Sequence, residues 1–312
     1  MLPDLIKGIR KQSRLPISRA VSIIENDWEN GQKLLSELYK NTGNAYRIGI
    51  TGPPGAGKSS ITNNLITQYR SENKKVAVLA VDPTSPFTHG AVLGDRIRMT
   101  KHHSDPGVFI RSMASRGGKG GLALRTQEVG DVFDAAGYDI IIYETVGVGQ
   151  VELDVIQAAD TVVVVLVPES GDEIQMLKAG LMEIGNVFAI NKTDRPGSNK
   201  LKISLENILS IMDMDDLSWM PEVVQTIAIE NKGSDMLIDS INKHGDFIRE
   251  KGLYKIKINE RYKNRVSDVV TQNYLKSFWN QNNSLKLKKE LEKVHHKRIS
   301  PYQLANQLVN NE

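Results

Sequence analysis

Between Tyr46 and Ala228, short runs of β-branched and other apolar residues alternate with longer stretches in which apolar positions recur every three to four residues. Continuous short runs predict strands buried on both faces, and the helical period between them predicts crossover helices. The strand runs are Tyr46 to Thr51, Val76 to Val81, Val108 to Arg111, Asp139 to Tyr143, Thr161 to Val167, Val187 to Ile190 and Val223 to Ala228. Ile61, Leu65, Ile66 and Tyr69 recur at helical spacing after the first run, and Ile174, Leu177, Leu181 and Ile184 after the fifth. This alternation predicts an α/β domain with a mostly parallel central sheet. Before it, residues 1–43 hold no strand-like run, and Val21, Ile24 and Trp28, then Leu34, Leu35 and Leu38, mark a helical N-terminal extension. From Ser234 the pattern is helical again, with Tyr262, Val266 and Val269 and later Leu287, Leu291 and Val294. The expected organisation is an extension over 1–43, an α/β domain over 44–233 and a helical C-terminal region over 234–312.

Directly after the first strand run stands Gly52-Pro53-Pro54-Gly55-Ala56-Gly57-Lys58-Ser59, a full match to the Walker A pattern between a strand and a helix. Its glycines let backbone N–H groups converge on phosphate oxygens, and the following helix adds its partial positive charge. Lys58 is expected to bridge the β- and γ-phosphates and Ser59 to bind Mg²⁺, with Ser60 completing the loop's contacts. The fold expected from this motif is a P-loop NTPase.

A phosphate loop needs acids nearby, because Mg²⁺ is a hard ion held by oxygen. Asp82 closes the second strand run, Glu144 closes the fourth, and Asp95 lies in the stretch from Gly90 to Met99. All three are candidate metal ligands and catalytic residues beside Lys58 and Ser59. Glu144-Thr145-Val146-Gly147 also fits an acid-x-x-Gly element, in which the Gly147 N–H would sense the γ-phosphate. The sixth strand run ends in Asn191-Lys192-Thr193-Asp194, the Asn-Lys-x-Asp element of guanine-binding proteins. The Asp194 carboxylate would accept from guanine N1–H and the 2-amino group, while Asn191 and the stem of Lys192 frame the ring. Adenine presents the wrong edge, so a buried acceptor would go unpaired. Ala228 completes the expected nucleotide-binding set, and the expected ligands are GTP, GDP and Mg²⁺.

Composition narrows the chemistry further. The 312 residues contain no cysteine, which excludes disulfides, thiolate metal sites and a cysteine nucleophile. No apolar run exceeds the six residues of Val162 to Val167, far short of the roughly 20 that cross a bilayer. The N-terminus carries an early acid and no apolar stretch of signal-peptide length, so a cytoplasmic location without membrane partners is expected. Residues 251–312 hold 13 Lys/Arg against 5 Asp/Glu, leaving 27 against 32 before them. Nucleic-acid binding through this basic tail, with Tyr274, Phe278 and Trp279 for stacking, is one reading. Their spacing suits a helix core better, so no nucleic-acid partner is expected.

Taken together, these segments resemble the methylmalonyl-CoA mutase-associated GTPases of the MeaB/ArgK family, to which the human methylmalonic aciduria type A protein belongs. The likeness rests on the phosphate loop, on Val81 to Ser85, Leu93 to Met99 and Ser170 to Gln175, and above all on Glu144-Thr145-Val146-Gly147-Val148-Gly149-Gln150. The resemblance implies a GTPase that guards an adenosylcobalamin-dependent acyl-CoA mutase, assisting cofactor loading and protection. It also implies a homodimer formed with C-terminal helices, and a switch after the fifth strand that reports the nucleotide state to the mutase, which places Asp172, Glu173 and Lys178 in the coupling role. Pro168-Glu169-Ser170-Gly171 departs from the small residues many relatives carry at Glu169.

Some candidates stay open. Gln150 is a candidate for orienting water, and Arg96, Arg98 and Arg116 for stabilising charge. Arg116 to Gly121 resembles a second phosphate cradle but lacks Walker spacing. The pairs His102-His103 and His295-His296 point apart on a helix, which disfavours metal binding. Two rival functions share the phosphate loop: a kinase or ATPase linked to lysine/arginine/ornithine transport, and a metallochaperone GTPase. The guanine element argues against the first, and the lack of cysteine against the second.

Overall fold

A computed structural model of the chain describes residues 2–83, 100–102, 104–115, 121–145, 157–170, 181–211 and 219–310. The side chains of 82, 83, 100, 114, 115, 121–124 and 170 lie outside that description. The seven runs form seven strands: β1 Tyr46–Thr51, β2 Val76–Pro83, β3 Val108–Ser115, β4 Ile140–Thr145, β5 Thr161–Leu166, β6 Val187–Ile190 and β7 Glu222–Gln225. They make one sheet of order β3-β2-β4-β1-β5-β6-β7, and every described pairing is parallel.

Helices cover both faces, as the continuous apolar runs require. Alternate residues go to opposite cores. Ala77, Leu79, Val81, Ile141, Tyr143, Val162, Val164 and Phe188 share one core with α1 Leu2–Arg10, α2 Arg14–Asn26, α3 Trp28–Leu38 and α5 Gly121–Ala135. Val76, Val78, Ile140, Ile142, Val163, Val165 and Val187 share the other with α4 Lys58–Ser71 and α8 Ser234–Glu250. Between them in the chain lie the single turn α6 Leu181–Ile184 and α7 Ser198–Ile211, whose Leu201, Leu205 and Leu209 join the first core.

The N-terminal helices are built into the sheet layer. Ile9, Ile17, Ile24, Leu34 and Leu38 are fully buried in the first core. Their link to β1 is clamped by the buried Asp134, whose carboxylate accepts from the N–H groups of Gly43 (2.8 Å), Asn44 (3.1 Å) and Ala45 (3.1 Å). Arg47 then balances the charge, at 2.7 Å from Asp131 and 3.2 Å from Asp134.

Strand ends shift by one or two residues in β2, β4 and β5, and the larger differences from the sequence expectation are in β3 and β7. β3 continues past Arg111 to Ser115 because its backbone keeps pairing with β2, Asp82 opposite Ala114, where the polar Arg111 and Ser112 hide the run. β7 stops at Gln225, because Ile227 turns back to bridge Lys232 and Ala228–Glu230 form a 3₁₀ turn.

The chain divides into two compact units, residues 1–258 and 259–312, with the boundary inside α9 Leu253–Phe278. In the second unit, α10 Gln281–Glu292 and α11 Pro301–Val309 are capped by Asn280 and Ser300 respectively, the latter in a reciprocal capping box with Gln303. Buried Glu290 accepts from Lys293 (2.6 Å) and the Ile299 N–H (2.8 Å).

In the first unit, His244 of α8 is 2% exposed, with Nδ1 2.5 Å from Thr161 Oγ1, which the Tyr46 hydroxyl also contacts. Burial, then the Lys257 charge, lowers its pKa to about 3. The folded protein therefore keeps this imidazole neutral while the unfolded chain protonates it below about 6.5. Its contribution is complete above that pH and declines by about 1.4 kcal/mol per pH unit on acidification towards the folded value. Urea unfolding at pH 7 and pH 5 should show His244→Asn losing less stability than the wild type over that interval; equal losses would exclude His244 as the source.

Candidate functional site

β1 lies in the middle of the sheet, flanked by β4 and β5, and the order reverses around it. Parallel α/β sheets bind ligands outside the carboxyl ends of strands at such a point. There the chain passes through residues 52–57 into α4. Gly52 has φ +136°, and a Cβ on it would lie 2.1 Å from the Val165 carbonyl oxygen. Gly57 has φ +94°, and a Cβ there would lie 2.2 Å from Asn191 Nδ2. Neither position accepts a side chain without displacing a neighbour. Gly57 is also the N-cap of α4 and, having no side chain, caps none of the helix's first N–H groups, the groups by which a helix start binds an anion.

Lys58 is buried, and its Nζ donates to the Gly52 (2.7 Å) and Pro53 (3.0 Å) carbonyls, drawn back over its own loop. The Ser59 hydroxyl donates to Glu144 Oε1 at 2.6 Å. Glu144 is buried at the end of β4, in register with Ile50 of β1. This hydroxyl and carboxylate are hard oxygen donors of the kind Mg²⁺ takes, usually with water and phosphate oxygens completing its shell. Asp82 lies at the carboxyl end of β2, one residue past the Val81–Thr145 register pair. Among the described residues, no group of three His, Asp or Glu could hold a metal ion without such outside ligands. Asp95, Gly147, Gln150, Asp172, Glu173, Lys178, Arg96, Arg98 and Arg116 lie outside the described residues.

The Asn-Lys-x-Asp segment leaves the end of β6 on the same edge. Asn191 is 3% exposed, and its amide joins three pieces of chain. Nδ2 donates to the Ala56 carbonyl (2.8 Å), and Oδ1 accepts from Thr226 Oγ1 (3.2 Å) and the Ala228 N–H (3.0 Å). Lys192 has φ +60° and its Nζ donates to the Gly55 carbonyl at 2.8 Å. Thr193 donates through N–H and Oγ1 to the Thr226 carbonyl, each at 3.2 Å. Asp194 is exposed beside them. Sequence reasoning missed Thr226, and also Asn64, which donates to the Ala228 carbonyl (2.8 Å) and Ser234 Oγ (3.1 Å). No local signal marks either residue, since each acts only through segments distant in the chain.

The N–H groups at the start of α4, Lys58, the Ser59–Glu144 oxygen pair and the Asn-Lys-x-Asp segment thus lie along one sheet edge. The family profile described as methylmalonyl-CoA mutase-associated GTPase MeaB matches residues 17–283. The chain belongs to this family of GTPases. Among MeaB relatives, a Pyrococcus abyssi protein named as a GTPase is 48% identical over 274 residues, covering 87% of this chain and 84% of that one. The GTPase ArgK of Escherichia coli is 36% identical over 249 residues, 77% and 75% of the two chains. The mitochondrial methylmalonic aciduria type A homolog of Caenorhabditis elegans is 33% identical over 267 residues, 80% and 67%. A solved structure described as an LAO/AO transport system kinase superposes with a TM-score of 0.74 at 26% identity, over 99% of this chain and 97% of that one.

For this MeaB-family chain, Gly57→Ala should lower stability by about 1–3 kcal/mol, through the positive φ and the contact with Asn191. It should weaken nucleotide binding as well. Thermal unfolding and nucleotide titration of the variant check this, and unchanged behaviour in both would refute the close approach.

Proposed function

We propose that this MeaB-family GTPase reads guanine through Asp194, holds the phosphates with the 52–60 loop, and couples GTP hydrolysis to guarding an adenosylcobalamin-dependent acyl-CoA mutase. The observation that carries the nucleotide part is the Asn191 amide, which bonds Ala56 in the phosphate loop and Ala228 in the base-side loop. Base and phosphate recognition are thereby set at one spacing.

In the proposed reaction, water attacks the γ-phosphate in line, and positioning with charge neutralisation supplies most of the catalysis. Lys58, released from the Gly52 and Pro53 carbonyls, neutralises β- and γ-phosphate oxygens. Ser59, with Asp82, Asp95 and Glu144, would hold Mg²⁺, which offsets charge on the transferring phosphoryl group. Glu144 first has to give up the Ser59 hydroxyl, so ligand entry is a local exchange of hydrogen bonds. Gly147 would sense the γ-phosphate through its N–H, and Asp172, Glu173 and Lys178 would report the nucleotide state to the mutase.

The family name supports the mutase assignment, and methylmalonyl-CoA mutase is the default client. A homodimer fits the second unit, where Tyr262, Val266, Val270 and Tyr274 recur every four residues along α9 and are all about half exposed, from 45% to 60%. No helix among the described residues is long and apolar enough to cross a membrane. The solved relative described as a transport system kinase motivates a second reading, an ATP-using kinase, which nucleotide competition separates from the first.

GTP turnover should exceed ATP turnover and rise on adding the acyl-CoA mutase of the same cell; no response to the mutase would remove that client. Asp194→Asn should weaken GTP binding about a hundredfold, the loss of two hydrogen bonds to a charged acceptor, and improve xanthosine triphosphate binding. Lys58→Ala should abolish hydrolysis with the fold intact by circular dichroism, whereas retained turnover would contradict the phosphate-loop assignment.

A further inference from the structure

Three cations stand in the two adjoining turns that carry and face the carboxylate assigned to guanine. Lys192 and Arg195 flank Asp194 in a tight turn in which the Arg195 N–H donates to the Lys192 carbonyl at 3.0 Å. Lys232 lies in the turn after β7, whose Thr226 carbonyl accepts from Thr193 next to Asp194, and its pKa is raised first by Glu230 and in smaller part by the Asp194 charge. Each of the three is bonded to a different acceptor. Lys192 donates to the Gly55 carbonyl (2.8 Å), Lys232 pairs with Glu230 (2.6 Å), and Arg195 pairs with Glu169 in the turn after β5.

That arrangement matters because a guanidinium or ammonium offers a carboxylate the same thing guanine does, N–H donors, with a full charge behind them. An untethered Arg195 or Lys232 would compete with the base for the Asp194 oxygens. We propose that Glu169 and Glu230 are specificity-determining positioning residues, which hold Arg195 and Lys232 off Asp194 and so keep it open to guanine. This rests on the assignment of Asp194 to the base. Arg195 bonding, with Lys192 adding to it, holds the Glu169 carboxyl below the usual carboxylate range, so the tether stays ionised at neutral pH.

The two pairs are exposed, with Glu169 and Arg195 at 54% and 47% and Glu230 and Lys232 at 49% and 68%, so removing them leaves the core untouched. A role as simple struts and a role as restraints on competing cations make different predictions. If the pairs were struts, deleting either partner would have the same effect. If the acids restrain the cations, deleting an acid harms binding and deleting its cation as well rescues it.

The test is steady-state GTP hydrolysis by the full chain. Glu169→Gln and Glu230→Gln should each raise KM for GTP about threefold to fivefold with kcat unchanged, the range of an exposed ion pair. Arg195→Ala, Lys232→Ala and the doubles E169Q/R195A and E230Q/K232A should stay within about twofold of wild type. Equal effects of acid and cation deletions, or doubles as weak as the acid variants, would overturn the inference. Asp194→Asn serves as the control. If it leaves GTP affinity intact, the base assignment itself fails; if it weakens GTP while both acid variants behave as wild type, only the tethering inference fails.

Discussion

The interaction on which the rest of the site depends is the buried amide of Asn191. It satisfies the Ala56 carbonyl on one side and the Thr226 hydroxyl and Ala228 N–H on the other, so three chain turns that leave three different strands keep one spacing. A buried carbonyl or N–H without a partner costs about 1–3 kcal/mol, so this side chain has little latitude. The close approach of Gly57 to the same amide nitrogen shows the tolerance from the other side, since no side chain fits between them. A nucleotide spanning such a site meets a distance already set by the protein.

The sheet supplies the rigid base for that spacing. β1 is buried along its whole length between β4 and β5, and its two neighbours deliver Glu144 and the Val165 carbonyl to either side of the phosphate loop. Electrostatics is handled by local pairing. Arg47 sits between Asp131 and Asp134 under the N-terminal link, and the cations beside Asp194 each have their own acceptor. In both places charge is neutralised within a few ångströms, which keeps the phosphate edge free to respond to a charged ligand. Lys58 is buried at that edge and donates to the Gly52 and Pro53 carbonyls, acceptors that a phosphate readily replaces.

Much of this was legible in the chain. Seven strands were readable because a doubly covered parallel strand must be apolar at consecutive positions, and the phosphate loop was readable because a phosphate cradle demands glycines and lysine at fixed offsets. The ends of β3 and β7 were not readable. Arg111 interrupts the apolar run although its backbone stays in the ladder and its guanidinium reaches Glu25 at 2.8 Å, a partner 86 residues away. Ile227 looks like strand but folds back on Lys232.

The sequence by itself determined the fold class and the position of the Walker A segment between β1 and α4, because each is written in residues close together in the chain. Only the tertiary structure decided what holds them together. Asn191 reads as a ring-framing residue from its motif and is, in the folded chain, the joint between two loops. Asn64 and Thr226 carry no motif at all, and the helical period of the N-terminal extension does not say that residues 2–38 close one face of the sheet. Their roles arise from hydrogen bonds and packing between segments tens to more than a hundred residues apart, which no local pattern encodes.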